Sequence, residues 1–248
     1  PFRLLELADP NQPLLRRLLL EAPGTYHHSL LVANLAEAAA EAVGANALLA
    51  RVGAYYHDIG KIRRPYFFVE NQFGGRNPHD RLSPHLSALV ITSHVKDGLE
   101  LARQYRLPEG LTRFIREHHG TTLVGYFYQR AVAAAGGGQK VGEERFRHQG
   151  PIPQSRETAI VMLADGAEAA VRSVQRPTPD RIYEVVRSII RDRLEDGQLD
   201  ECDLTFRDLE RIAQAFTRIL TGIFHPRIEY PELERDLGTR RQRLARIR

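Results

Sequence analysis

The stretch AYYHDIGK, residues 54–61, sets a histidine and an aspartate side by side at the end of an apolar helical run. Leu48, Leu49, Val52 and Tyr56 recur at the three-and-four spacing of one helix face, which predicts a buried helix over about 45–58 ending in His57 and Asp58. A neutral imidazole and a carboxylate gain nothing from apolar surroundings and must find partners there.

The same conflict recurs outward from this pair. His27-His28, His94 and His118-His119 all fall at or within predicted helices, and Asp165 lies inside AIVMLADGAEAA, where aspartate is a poor helix-interior residue. The single cysteine, Cys202, excludes a thiolate site, an intrachain disulfide and a multi-cysteine zinc site, and a reducing compartment fits it best. Imidazole and carboxylate together suit zinc, iron, manganese and related divalent ions. Neighbouring helical residues point about 100° apart, so one doublet can address two ions. Two doublets therefore suit a dinuclear centre, in which metals about 3.5–4 Å apart share a carboxylate and an activated hydroxide that attacks a phosphoryl group in line. Spacing does not choose between His27 and His28. His79-Asp80 sits in a polar loop and reads as a surface turn or helix lead-in; His85, His148 and His225 show no partner and read as ordinary core or surface histidines.

Helical periodicity extends over most of the chain, with helices expected near 12–21, 25–43, 45–58, 84–105, 109–119, 122–136, 155–174, 178–196 and 205–223. Thr25 and Ser155 are candidate N-caps, and Pro84 and Pro108 suit first turns. The fold class is all-α. Two irregular stretches, 65–83 and 137–153, read as functional loops, the first with Tyr66, Phe67, Phe68 and Phe73 ordered over a site.

With 248 residues the chain has room for one to two domains of about 150. Its 42% hydrophobic and 27% charged residues exclude a disordered or collagen-like chain. The net charge of +4 suggests nucleic acid until it is located. Five arginines and no acid follow Asp236, and without them the sign reverses, so the basicity belongs to a tail and no nucleic-acid polymer is expected as a partner. No run approaches the 18 or so apolar residues of a membrane span. The chain opens at Pro1 and its one methionine is Met162, which reads as a fragment or processed product of a longer protein.

The blocks GTYHHSLLVANLAEAA, AYYHDIGKIRRPYFFVENQ, NPHDRLSPHLSA, SHVKDG, EHHGTTLVGYFY and GPIPQSRETAIVMLADGAEAAVRS resemble, in order and spacing, the HD-domain metal-dependent phosphohydrolases and, within them, the PgpH-type cyclic-di-AMP phosphodiesterases. The resemblance implies an all-α HD bundle over 22–228, a lead-in helix over 1–21 after a missing, transmembrane upstream region, and a basic tail over 229–248. It implies His28, His57, Asp58 and Asp165 as ligands of one metal and Asp58, His94, His118 and His119 as ligands of the other, with iron or manganese bound. Asp58 would bridge, and Lys61 of the HDxGK pattern would sit beside the phosphate. The implied reaction is hydrolysis of cyclic-di-AMP to linear pApA through a hydroxide bridging two metals, with Asp58 and Lys61 catalytic. Arg64 could add to the phosphate field, and Tyr126 and the aromatics at 66–68 could stack on adenine or simply pack.

The implied location is the cytoplasmic face of the cell membrane, beside the sensory region of the same protein, as monomer or homodimer. His148-Gln149 departs from the family, which more often has an aromatic followed by proline. The alternatives are an HD hydrolase of cyclic-di-GMP, guanosine tetraphosphate or a nucleoside triphosphate, or a nucleotide-sensing module that does not turn its ligand over.

Overall fold

A computed structural model describes residues 2–72, 74–136, 140–175 and 177–224; Phe73, His225 and the basic tail lie outside the described residues. The fold is all-α. Among the described residues ten α-helices follow one another: α1 (Phe2–Leu7), α2 (Pro13–Glu21), α3 (Pro23–Val43), α4 (Ala47–Tyr56), α5 (Pro84–Gln104), α6 (Glu109–Glu117), α7 (Gly125–Ala134), α8 (Arg156–Arg172), α9 (Pro179–Glu195) and α10 (Phe206–Ile223). No described helix is long and apolar enough to cross a membrane.

Two cores meet along α4. Small residues of α3 and α8, among them Ala33, Ala36, Ala39, Ala159, Ala164 and Ala167, let helix backbones approach, and Ala50 and Ala54 of α4 join them with Ile212 and Phe216 of α10. On the other side, Val52 and Tyr56 of α4 pack with Leu14, Leu15 and Leu18 of α2, Leu101 of α5 and Leu111 and Ile115 of α6. A smaller cluster of Ala88, Phe127, Ala131 and Phe146 pins the second irregular stretch onto α5 and α7.

Several boundaries differ from the sequence expectation. Residues 1–21 carry two helices, α1 and α2, rather than one. α4 stops at Tyr56; His57 keeps helical dihedrals (φ −55°, ψ −35°), whereas Asp58 turns out (φ −109°, ψ 13°) and a 3₁₀ turn follows over Ile59–Arg63. The turn lies directly on α5, where a Cβ on Gly60 would fall 1.8 Å from the carbonyl oxygen of His94. α7 begins three residues late because Thr122 and Val124 pair with the other irregular stretch instead: the Val124 amide donates to the Phe146 carbonyl (2.8 Å) and the His148 amide to the Thr122 carbonyl (3.0 Å). α6 ends at Glu117, two residues short of expectation, and Pro108 lies just before its first turn, at the N-cap. Ser155 caps α8 as expected. Thr25 does not cap α3, which starts at Pro23; its amide instead donates to Asn71 Oδ1 (3.1 Å).

That contact orders the first irregular stretch. It holds three 3₁₀ turns, Pro65–Phe67, Val69–Asn71 and Pro78–Arg81. Asn71 is buried, donates from Nδ2 to Thr25 Oγ1 (2.8 Å), and brings Glu70 so close to α3 that a Cβ on Gly24 would meet the Glu70 carbonyl at 1.8 Å.

Gly60→Ala should therefore destabilise the chain by about 3 kcal/mol, since backbone and not a movable side chain blocks the added methyl. Gly110→Ala, which meets open space, should leave the melting temperature within about 2 °C. Thermal unfolding followed by circular dichroism checks both, and equal melting temperatures for the two variants would contradict the packing.

Candidate metal centre

Five elements converge where the two cores meet. α3 supplies His28, the exit of α4 His57 and Asp58, α5 His94, the end of α6 His118 and His119, and α8 Asp165. Their ligand-capable atoms form two groups, Asp58 with His94, His118 and His119, and Asp58 with His28, His57 and Asp165; within each group the atoms lie within 4.8 Å of one another. Asp58 divides its oxygens between them. Oδ1 is 3.3 Å from His94 Nε2 and 3.4 Å from His118 Nε2, whereas Oδ2 is 3.3 Å from His57 Nε2 and 3.8 Å from His28 Nε2. Asp165 Oδ1 lies 3.0 Å from His28 Nε2, and its Oδ2 3.8 Å from His119 Nδ1.

The hydrogen bonds around the rings fix which nitrogen faces inward. His57 Nδ1 donates to the Ala54 carbonyl (2.7 Å), His94 Nδ1 to Ile91 (2.6 Å) and His118 Nδ1 to Ile115 (3.0 Å). His28 Nδ1 donates instead to a side chain, Glu168 Oε2 (2.6 Å). In their neutral form His57, His94 and His118 are thereby left with an unprotonated Nε2, the arrangement that prepares histidine for a cation, whereas His28 meets a carboxylate at both nitrogens, Glu168 at Nδ1 and Asp165 at Nε2. His94 Nε2 and His118 Nε2 face each other at 3.2 Å with both Nδ1 positions committed, which sets lone pair against lone pair unless a cation or proton intervenes. His57 Nε2 and both Asp58 oxygens are buried and receive no aligned hydrogen bond. Donors of this kind fit two divalent ions sharing one carboxylate.

With protons as the only counter-charge, the electrostatics divide the centre. Burial alone would lower the His57 imidazole, but Asp58 and Asp165 override it and push it up to about 10. Burial drives His119 well below the ordinary imidazole value, helped by His118 and His148, and drives His148 down to about 3, helped by His94 and His118. The His28–His57 side is thus rich in carboxylate and the His94–His118–His119 side rich in imidazole. Asp58 itself is held well below the carboxylate range: burial would raise it, and the Lys61 ammonium and His57 outweigh that. Lys61 Nζ sits 2.7 Å from Asp58 Oδ2 and 2.8 Å from Glu70 Oε1.

Two cavities open on the centre. One of about 300 Å³ is lined by His28, Lys61, Glu70, Asp165 and Arg172; the other, of about 330 Å³, by His119, His148, Lys96, Arg103 and Arg116. All seven metal-ligand candidates and Lys61 are brought together. His27 is exposed beside the buried His28, which separates the two. Arg64 and Tyr126 line neither cavity: Arg64 Nη1 is held by Ser93 Oγ (2.8 Å) and Asp97 (2.9 Å), and the exposed Tyr126 ring lies edge-on to Phe127. Phe68 is buried, edge-on to His94, with Lys61 Nζ 4.9 Å from its ring centre.

Two further histidines are buried. His148 is buried and stacks on His119 at 4.2 Å, carried there by the pairing of residues 122–124 with 146–148. His79 is buried too, its ring nitrogen 2.9 Å from the Phe67 carbonyl. His85 is exposed, against Phe146. Sequence reasoning passed over Glu70 and Glu168. Glu168 did carry a signal, an acid one turn beyond Asp165 in an apolar helix; Glu70 carried none, because loop contacts have no period.

The HD domain family model matches residues 25–170. Cyclic-di-AMP phosphodiesterase PgpH of Bacillus subtilis (strain 168) is 57% identical over 231 residues, which cover 93% of this chain and 32% of that protein. The crystal structure of the Listeria monocytogenes phosphodiesterase PgpH HD domain superposes with a TM-score of 0.82 at 49% identity, covering 87% of this chain and all of that one. The same domain in complex with cyclic-di-AMP gives 0.83 at 49% identity over 88% of this chain and all of that one. The chain spans about a third of the length of the curated relatives it matches.

Because Asp58 alone belongs to both groups, equilibrium dialysis with Mn²⁺ should find two ions per wild-type chain and fewer than one in Asp58→Ala. Retention of two ions by a folded Asp58→Ala chain would contradict the shared-carboxylate arrangement.

Proposed function

Because the chain belongs to the HD-domain family, and aligns over most of its length with the PgpH HD domain, we propose that it is the catalytic domain of a cyclic-di-AMP phosphodiesterase releasing linear pApA. One combination of observations carries the reading: a His/Asp centre that could hold two ions, in a chain 49% identical to a domain solved with cyclic-di-AMP. His28, His57, Asp58 and Asp165 would hold one ion and Asp58, His94, His118 and His119 the other, with iron or manganese suited to this donor set. When bound, such ions supply Lewis acidity and an activated water for in-line attack on phosphorus.

The remaining steps belong to the chain. Lys61 stands at the mouth of the cavity between Asp58 and Glu70, and a phosphodiester entering there replaces one carboxylate in its coordination, so that its charge meets a non-bridging oxygen. The fixed Nδ1 donors hold four imidazoles in place without reorganisation. Arg172 adds a second cation on the same wall. Arg64 contributes to phosphate binding only by giving up Asp97, and Tyr126 meets a base only beyond the two cavities. The curated relatives are about three times longer, and this domain is read as the cytoplasmic part of a membrane protein with an upstream sensory region.

Incubation of the Mn²⁺-loaded chain with cyclic-di-AMP, followed by chromatography, should yield pApA, and cyclic-di-GMP should be turned over more slowly. Tight binding with no product would overturn the proposal in favour of a nucleotide sensor. Lys61→Ala should lower kcat by about 100-fold or more while two ions stay bound; an unchanged kcat would remove Lys61 from the mechanism.

A further inference from the structure

His57, His94 and His118 lean through Nδ1 on backbone carbonyls, whereas His28 leans through Nδ1 on a carboxylate. Glu168 is completely buried on α8, one turn beyond Asp165, so one helix supplies both a direct neighbour of His28 Nε2 and the acceptor for its Nδ1. Its other oxygen accepts from Arg172 Nε (3.0 Å), and the Arg172 terminal nitrogen that pairs with Oε2 also lies 2.9 Å from His28 Nδ1, so the buried charge is balanced without involving the other cluster. A carboxylate behind a ligating imidazole fixes its orientation and makes its far nitrogen a stronger donor. His94 and His118 have no such carboxylate among the described residues, their Nδ1 atoms meeting backbone carbonyls; His119 is flanked by the rings of His118 (4.0 Å) and His148 (4.2 Å), with Asp165 Oδ2 3.8 Å from its Nδ1, beyond hydrogen-bond reach.

Resting on the two-ion reading above, we propose that Glu168 is a positioning residue for His28, setting the affinity of the His28–His57–Asp165 site and leaving the His94–His118–His119 site unaffected. Arg172 serves as its counter-ion, keeping the buried carboxylate charged and aimed at Nδ1. The two metal sites of the centre are thereby unequal by construction.

The test is a two-phase Mn²⁺ titration of the chain, reading free ion by electron paramagnetic resonance. His28→Ala and His94→Ala identify the phases, since each should remove a different one. Glu168→Ala should weaken by 10- to 100-fold the phase that His28→Ala removes, leaving the other within about twofold. The double variant E168Q/R172Q, which orphans no charge, should weaken the same phase should the single variant fold poorly. Unchanged constants in the folded variants, or equal weakening of both phases together with a lowered melting temperature, would overturn the proposal and leave Glu168 a structural residue. If His28→Ala and His94→Ala both leave two ions bound, the two-cluster reading itself falls, and the proposal with it.

Discussion

A carboxylate buried at the junction of two hydrophobic cores is the constraint that the rest of this structure answers. Asp58 is 1% exposed, and an ionised group so placed costs several kcal/mol unless opposite charge or hydrogen-bond donors are arranged around it. The arrangement is visible on every side: Lys61 one turn on, His57 and His28 facing Oδ2, His94 and His118 facing Oδ1. α4 ends at Tyr56, the backbone leaves helical dihedrals at Asp58, and Gly60 lets the following turn lie against α5. The same need that shapes the backbone leaves a centre with more inward-facing acceptors than protons to satisfy them.

That surplus gives the centre its chemical character. On one side Asp58 and Asp165 override burial to raise His57, and Asp165 and Glu168 do so for His28; on the other, burial, helped by neighbouring imidazoles, lowers His118, His119 and His148. Each side opens into its own cavity, one bounded by Lys61 and Arg172, the other by Lys96, Arg103 and Arg116. A polyanionic ester therefore meets cations on both approaches to a centre built from imidazoles and carboxylates.

Much of this was legible in the sequence, because helical periodicity and buried polar residues are local signals. His57-Asp58, His118-His119 and Asp165 stand out as polar groups in apolar helices, and the structure brings them together. The burial of His148 and His79 comes from loop pairing, Thr122 with His148 between two segments and Phe67 with His79 within one irregular stretch, which leaves no periodic trace. Glu70 escaped for a similar reason: the Asn71–Thr25 bonds that bring it to Lys61 join residues 46 apart. The expected ends of α4 and α6 overshot, since propensity does not register where a chain must leave a helix to aim a ligand.

The central claim is that one carboxylate, Asp58, joins two ions into a single centre. Electron paramagnetic resonance of the chain loaded with two equivalents of Mn²⁺ tests it most directly. The account predicts an exchange-coupled multiline spectrum, collapsing in Asp58→Ala to the pattern of isolated ions or to none. A fully loaded wild-type chain showing only the six lines of isolated Mn²⁺ would contradict it.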